Sequence, residues 1–290
     1  MNRVLNRIEW KPLADSYSDS ARHITAAARE RKQSGERHPI EDFLWEYYSL
    51  RPAHFEKWHP GCGVLLRDAA DEYSGKGYIT IGDQTSVDSE FIKERADSLK
   101  WMIELLNNTL NRPARFNCFG LHEWAMVYRL SQEEVRHAQA PLRLSPEEIA
   151  AVVEAQELKC SHYDAFRFYV PAARSLNHMV LEREDQLQQE QSGCLHANMD
   201  LYKWCYKARP IVDSELTMRC FNLAKEIRTL DMRAAPYDLT QWGLTPVTIE
   251  NSEGRADYIA QQRNFSERAN VLRTELRDKL TAALRSVEGS

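Results

Sequence analysis

The stretch GCLHANMDLYKWCYK, residues 193–207, constrains the fold more than any other part of the chain. On a helical wheel at about 100° per residue, Leu195, Met199, Tyr202 and Tyr206 form one apolar stripe. Ala197, Leu201, Trp204 and Ala208 form a second stripe on the far side. A helix that is apolar nearly all round belongs inside a core, and a chain of 290 residues is long enough to build one. The polar residues His196, Asp200, Lys203 and Lys207 share one narrow sector. Either that sector faces water, as lysines favour, or its N-terminal part lines a pocket while the lysines run out to solvent. A helix N-terminus pushes His196 toward the neutral, metal-binding imidazole. The four-residue spacing lets His196 and Asp200 reach one ion.

Helical patterning recurs along the chain. ADSYSDSARHITAAARERKQSG reads as an exposed helix ending at Gly35, and HPIEDFLWEYYSLRP as a short aromatic helix between Pro39 and Pro52. VDSEFIKERADSLKWMIELLNNTLN runs at helical period until Pro113, and a further helix begins near Gly120. Ser145 caps SPEEIAAVVEAQ, with Pro146 at its first position. A helix over about 214–233 and a long C-terminal helix over 252–288 complete the set. GVLLRD and GYITIGD, separated by Gly75 and Gly77, carry the signature of a small hairpin. SHYDAFRFYVP is aromatic-rich and β-prone, and LEREDQLQQEQSG reads as a surface connection. The expected fold is mainly α: a single helical domain over residues 1–290 with a small β-hairpin and a few short strands, the segment 1–36 being peripheral.

Composition is that of an ordinary globular chain, 43% hydrophobic and 28% charged, and the net charge of −5 lacks the overall basic footprint of a nucleic-acid binder. The six cysteines include no CxxC pair, which argues against a zinc ribbon and for reduced thiols filling a core. There is no apolar run of signal-peptide or membrane-span length, so a cytoplasmic location without membrane contact is expected.

Three segments each set a histidine beside or near a carboxylate among aromatics. One is the His196–Asp200 pair. In LHEWAMVYRL, Glu123 shares a stripe with Val127 and Leu130, where a carboxylate must be paired, protonated or metal-bound; a buried Glu123–Arg or Glu123–Tyr pair would satisfy it equally. His122 precedes it. If SHYDAFRFY is a strand, His162 and Asp164 share a face with Phe166 and Phe168. Asp164 would then orient the imidazole or join it on an ion. Two reserves remain: Glu41 shares a stripe with Trp45 and Tyr48, and His59 sits in a constrained turn between Trp58 and Pro60. Asp42, Glu46 and Ser49 cluster on the polar side of their helix, and His23, His54, His137 and His178 have ordinary surface settings. Histidine with carboxylate suits iron, manganese or zinc rather than calcium. The ExxH repeats of ferritin-like proteins, HExxH, phosphate loops, GxSxG and dinucleotide fingerprints are all missing.

The segments HPIEDFL with YYSLRP, WHPG, FGLHEWAMVYR, CSHYDAFRFY, GCLHANMDLYKW and LDMRAAPYDL, over roughly residues 38–240, resemble a bacterial family whose members often carry the label 3-methyladenine DNA glycosylase. The resemblance implies base excision of alkylated purines. Such an enzyme flips a base against aromatic faces with a carboxylate near the sugar, and Arg209, Arg219, Arg228 and Arg233 would touch phosphate. The residues themselves point first to a metal-dependent enzyme with a small-molecule substrate and an aromatic-lined pocket, its reaction hydrolytic or oxidative. His122, His162, His196, Asp200 and His59 are the ligand candidates, and Glu123, Asp164 and Glu41 the catalytic carboxylates. The divalent ion expected is iron, manganese or zinc, and nucleic acid is a partner only if the glycosylase reading holds. A third reading is an aromatic pocket that binds a small ligand without catalysis.

Overall fold

The computed structural model describes residues 3–135 and 139–288, so His137 lies outside the described residues. The chain groups into two compact units: residues 1–107, 201–222 and 272–290 in the first, and 108–200 and 223–271 in the second.

The first unit contains a four-stranded sheet and long helical segments. Strand β1 (Arg3–Leu5) leads into helix α1 (Arg7–Ser34), whose first turn is closed by Glu9 accepting from the Asn6 N–H at 2.8 Å. Helix α1 begins earlier than its alanine-rich part suggests and ends as expected, at Gly35 with φ 77°. It also buries a stripe of Trp10, Ala14, Tyr17, Ala21 and Thr25. The Trp10 indole donates to the Arg67 carbonyl and the Tyr17 hydroxyl to that of Phe55. Short helices α2 (Phe43–Tyr47) and α3 (Pro52–Phe55) follow, then β2 (Val64–Arg67), β3 (Tyr78–Ile81) and β4 (Gln84–Val87). Sheet order is β1-β2-β4-β3, with β1 parallel to β2 and the other pairs antiparallel. The hairpin is therefore β3–β4, not GVLLRD with GYITIGD. Gly82 at φ 63° and Asp83 form its two-residue loop, and a left-handed residue there matches the twist of the paired strands. Helices α4 (Ser89–Glu94) and α5 (Ala96–Asn111) divide at Arg95 what the periodicity reads as one helix.

The aromatics of FLWEYY enter a packed cluster in this unit. Phe221 lies 4.9 Å from Trp45, 4.8 Å from Phe55 and 5.2 Å from Tyr202, centroid to centroid. Those rings build core, each pair adding geometric preference to area burial.

The second unit holds α6 (Leu121–Met126), α7 (Pro146–Ala155), α8 (Tyr163–Phe166), α9 (Pro171–Arg174) and α10 (Gln186–Gln189). It also takes residues 195–200 of α11 (Leu195–Lys207), 223–234 of α12 (Ser214–Ala234) and 252–271 of α13 (Ser252–Glu288). Ser145 caps α7 by accepting from the Glu148 N–H at 3.2 Å, with Pro146 at the first helical position. The Trp124 indole donates to the Ala234 carbonyl at 2.8 Å, tying α6 to the end of α12. Every residue from Glu190 to Cys205 is buried. The helix that is apolar all round thus sits in core along most of its length, and the polar run before it is surface only as far as Gln189. Mainly helical structure with one small sheet is the observed class. No described helix is long and apolar enough to cross a membrane.

Candidate metal centre

Three helices of the second unit bring their polar residues together. Helix α6 starts after Gly120, whose left-handed φ of 69° turns the chain so that His122 and Glu123 are both buried in its first turn. Helix α11 carries His196 and Asp200 one turn apart, and α12 carries Arg228 and Asp231 at three-residue spacing. All six are buried.

His122 Nε2 stands 3.0 Å from Asp231 Oδ1. Neither atom has a hydrogen-bond partner of acceptable geometry among the described residues, although both are buried. The two atoms approach closely without the alignment of a hydrogen bond. The His196 ring meets His122 edge-on, with centroids 4.3 Å apart and planes at 88°. One ligand atom each from His122, His196 and Asp231 fits within a 4.8 Å span. Neither ring nitrogen of His196 takes part in a hydrogen bond among the described residues. Behind the group, Arg228 Nη1 donates to Glu123 Oε1 at 2.5 Å and to Asp231 Oδ2 at 2.7 Å. Glu123 is thus a buried partner of arginine, the structural alternative open in the sequence, and its contact fixes Arg228 against Asp231.

The electrostatics follow from burial and charge. Burial and the neighbouring His122 hold the His196 imidazole well below its ordinary pKa, and so neutral. Burial opposes charge on His122 too, but the Asp231 carboxylate outweighs it and raises the imidazole. For Asp231 burial is likewise outweighed, by His122 and Arg228, and the carboxyl falls below its usual range. Two buried carboxylates face one guanidinium here, and either a proton on His122 or a cation bound in its place balances the second.

His162, Glu190 and Asp200 form a second buried group whose ligand atoms also lie within 4.8 Å. The strand expected at SHYDAFRFY is instead the single-turn helix α8, with His162 as its N-cap. His162 Nδ1 accepts from the Ala165 N–H at 3.3 Å, which puts the ring proton of the neutral form on Nε2. That nitrogen is 3.3 Å from both Glu190 Oε1 and Asp200 Oδ2. In this tautomer it donates to the carboxylates and has no lone pair for a metal. His162 and Asp200 therefore stand beside the centre, the His162 ring 5.4 Å from that of His196, rather than in its ligand set. The three histidines are neighbours but do not converge on one point.

The remaining candidates lie elsewhere. Asp164 pairs with Arg167 at 3.1 Å on a half-exposed turn. Helical geometry at α8 separates it from His162, which a strand would have kept on one face. Glu41 pairs with Arg31 at 3.0 Å and stays partly exposed, whereas Asp42, expected in solvent, is buried against the same arginine. His59 is buried in the first unit, its Nδ1 2.6 Å from the Tyr78 hydroxyl and its Nε2 accepting from Arg209. Of the lysines, Lys207 is exposed and Lys203 buried, its ammonium 4.4 Å over the Trp204 ring. Sequence reasoning passed over Asp231, Glu190 and Tyr258, and it offered Arg228 to phosphate, whereas the side chain is fully buried against Glu123 and Asp231. Arg228 and Asp231 did leave a signal, a charged pair three apart amid Leu223, Ala224, Ile227 and Leu230, but exposed helix pairs have the same spacing.

A narrow cleft with about 20 Å³ of free space opens beside His122 and His196. That is room for a water-sized group. Its walls include Cys118, Cys160 and Cys194 with Tyr169 and Tyr258, so thiols contribute as much as aromatics. Burial raises all three thiols and keeps them protonated. All six cysteines of the chain are free. Comparison with family models, curated proteins and solved structures returns no match.

Proposed function

We propose that the protein is a metal-dependent enzyme in which His122, His196 and Asp231 hold one divalent ion. The observation that carries this reading is the pair of buried atoms His122 Nε2 and Asp231 Oδ1, 3.0 Å apart and not hydrogen-bonded. Such atoms are costly to bury unless something takes their lone pairs. An ion held by two imidazoles and one carboxylate retains open positions, and the cleft beside the two histidines gives a small molecule a route to them. Arg228 and Glu123 orient the carboxylate from behind, as outer partners of metal ligands commonly do. The donor set suits iron(II), manganese or zinc, and the ion would supply Lewis acidity or activate water or oxygen. His162 with Glu190 and Asp200 would fix the face of α11 that carries His196.

Elemental analysis of the purified protein tests the reading directly. About one equivalent of a transition metal is expected in the natural chain, and Asp231→Asn should lower metal affinity by at least roughly tenfold. A chain that takes up no metal, or an Asp231→Asn variant that holds it as tightly, would remove the basis for the proposal. The base-excision activity implied by the family resemblance is the rival outcome. Tight, salt-dependent binding to duplex DNA with release of methylated adenine would favour it instead.

A further inference from the structure

The cleft beside the proposed ligands has a charge of its own. Two of its lining residues are the fixed cations Arg115 and Lys159, and none is acidic. Lys159 is engaged by Glu157 at 2.8 Å. Arg115 is exposed, and no ion pair joins its guanidinium to any described residue.

The backbone of Arg115 is nevertheless firmly placed. The buried Gln191 side chain accepts from the Arg115 N–H at 2.8 Å and from the Gly193 N–H at 2.7 Å. Its amide nitrogen also faces the Arg115 carbonyl at 3.5 Å. A Cβ at Gly193 would overlap that same carbonyl, so the segment carrying Arg115 approaches the start of α11 as only glycine allows. Gln262 seals the other side of the turn, donating to the Gly193 carbonyl at 2.6 Å. A surface arginine on freely moving backbone would be unremarked. This one is clamped against Gly193, two residues before α11, and lines the cleft that reaches His196.

A second polar feature lies in the same cleft. The Tyr258 hydroxyl is fully buried near the Cys118 thiol and makes no well-aligned hydrogen bond among the described residues. It belongs to the wall of the cleft together with His122 and His196. A buried hydroxyl without an aligned partner is a donor waiting for an acceptor.

We propose that the cleft recognises a small oxyanion, a carboxylate or a phosphate, with Arg115 as the charged recognition residue and the Tyr258 hydroxyl as a donor to it. This rests on the metal-enzyme reading, because one oxygen of the anion would face the ion held by His122, His196 and Asp231. Guanidinium and oxyanion match as a planar fork, which a lysine at the same place would not reproduce. The free space beside the histidines admits one oxygen-sized group, so the rest of the anion lies at the mouth of the cleft, where Arg115 is exposed.

Calorimetric titration of the full chain tests this, using oxalate and inorganic phosphate as anions and imidazole as a neutral metal ligand. Each is measured on the metal-free and on the Co²⁺-loaded protein. Arg115→Met should bind Co²⁺ and imidazole as the natural chain does, since the side chain touches no ligand residue and its backbone bonds persist. Its affinity for the anion should fall roughly tenfold or more, the weight of a charge-assisted hydrogen bond. Arg115→Lys should recover part of the loss, and Tyr258→Phe should show a smaller one. Binding of oxalate alone assigns a carboxylate, and binding of phosphate alone assigns a phosphate. Equal anion affinity in Arg115→Met and the natural chain, or no anion binding in either metal state, overturns the proposal while leaving the metal reading intact. Failure of the natural chain to take up Co²⁺ sinks the metal reading separately, and the metal-free titrations then decide the role of Arg115.

Discussion

Arg228 is fully buried, with Glu123 and Asp231 as its carboxylate partners. Replacing it with methionine would leave both carboxylates in a low-dielectric interior without that cation. The expected loss is about 3–5 kcal/mol, the usual result of breaking a buried ion pair from one side. Urea unfolding of Arg228→Met measures it, and a change below about 1 kcal/mol would mean that water reaches these groups. His59 supplies a test with a defined sign. Burial, with Arg209 second, holds its imidazole well below the ordinary value. Above about pH 6.5 the ring is neutral in both folded and unfolded chains. As the pH falls below that, the unfolded chain takes up a proton that the folded one refuses, so stability present at neutral pH is lost on acidification. His196 has the same sign and adds to the slope. His59→Gln, whose amide oxygen can still accept from Arg209, should lose stability less steeply between pH 7 and pH 5 in thermal unfolding. An unchanged slope would place the titration elsewhere. At this scale the sequence conveyed residue types better than partners. His122 and His196 were legible because a histidine on a helix among apolar residues has few uses. Asp231 and Glu190 were not, because a charged pair three apart on a helix, like a carboxylate in a polar run, looks solvated until a distant element covers it.

Helix α11 shows what periodicity can and cannot deliver. Its apolar stripes on opposite sides required burial, and Gln191 to Cys205 are indeed buried. The polar sector did not follow the simplest expectation, since Lys203 lies under the surface with its ammonium over Trp204. Trp204 also packs edge-on against Trp101 at 5.4 Å. Trp204→Ala should therefore cost about 3–5 kcal/mol by removing transferred area and leaving a cavity. It should leave metal affinity unchanged, because no ligand contacts the ring. Parallel urea unfolding and metal analysis would check both halves, and metal loss in this variant would show that the site depends on general packing. Element ends marked by chemistry were readable: Ser145 with Pro146 starts α7, and Gly35 ends α1. Elements defined by pairing were harder. QTSV has no strong β pattern, yet it lies between β2 and β3 and takes the hairpin from the more apolar GVLLRD. SHYDAF looked β-prone from its aromatics, but strand propensity is a statement about packing. Here the His162 ring caps a helical turn instead.

For the whole chain, the net charge of −5 weighs against the long-range attraction that duplex-binding proteins use, and the buried polar groups of the second unit weigh toward a small cation instead. An ion that binds the folded chain and not the unfolded one raises stability by mass action. At a free concentration about a hundred times the dissociation constant, that is about 2.7 kcal/mol. For a chain of this size the corresponding rise in melting temperature is on the order of 5–10 °C. Thermal unfolding should therefore fall by that order when the purified protein is stripped with a chelator, and recover when iron(II), manganese or zinc is returned. His196→Ala should be insensitive to both treatments, and Asp231→Asn should respond less than the natural chain. Glu41→Gln and Asp164→Asn should respond like the natural chain, since Glu41 belongs to the Arg31 pair and Asp164 to the Arg167 pair. His162→Gln gives the sharpest comparison. With its Nε2 proton directed at Glu190 and Asp200, it should retain most of the metal response while losing some baseline stability. Loss of the whole response in His162→Gln would move the ion to the second buried group, and a natural chain indifferent to chelator and metal alike would leave the first group a strained polar core.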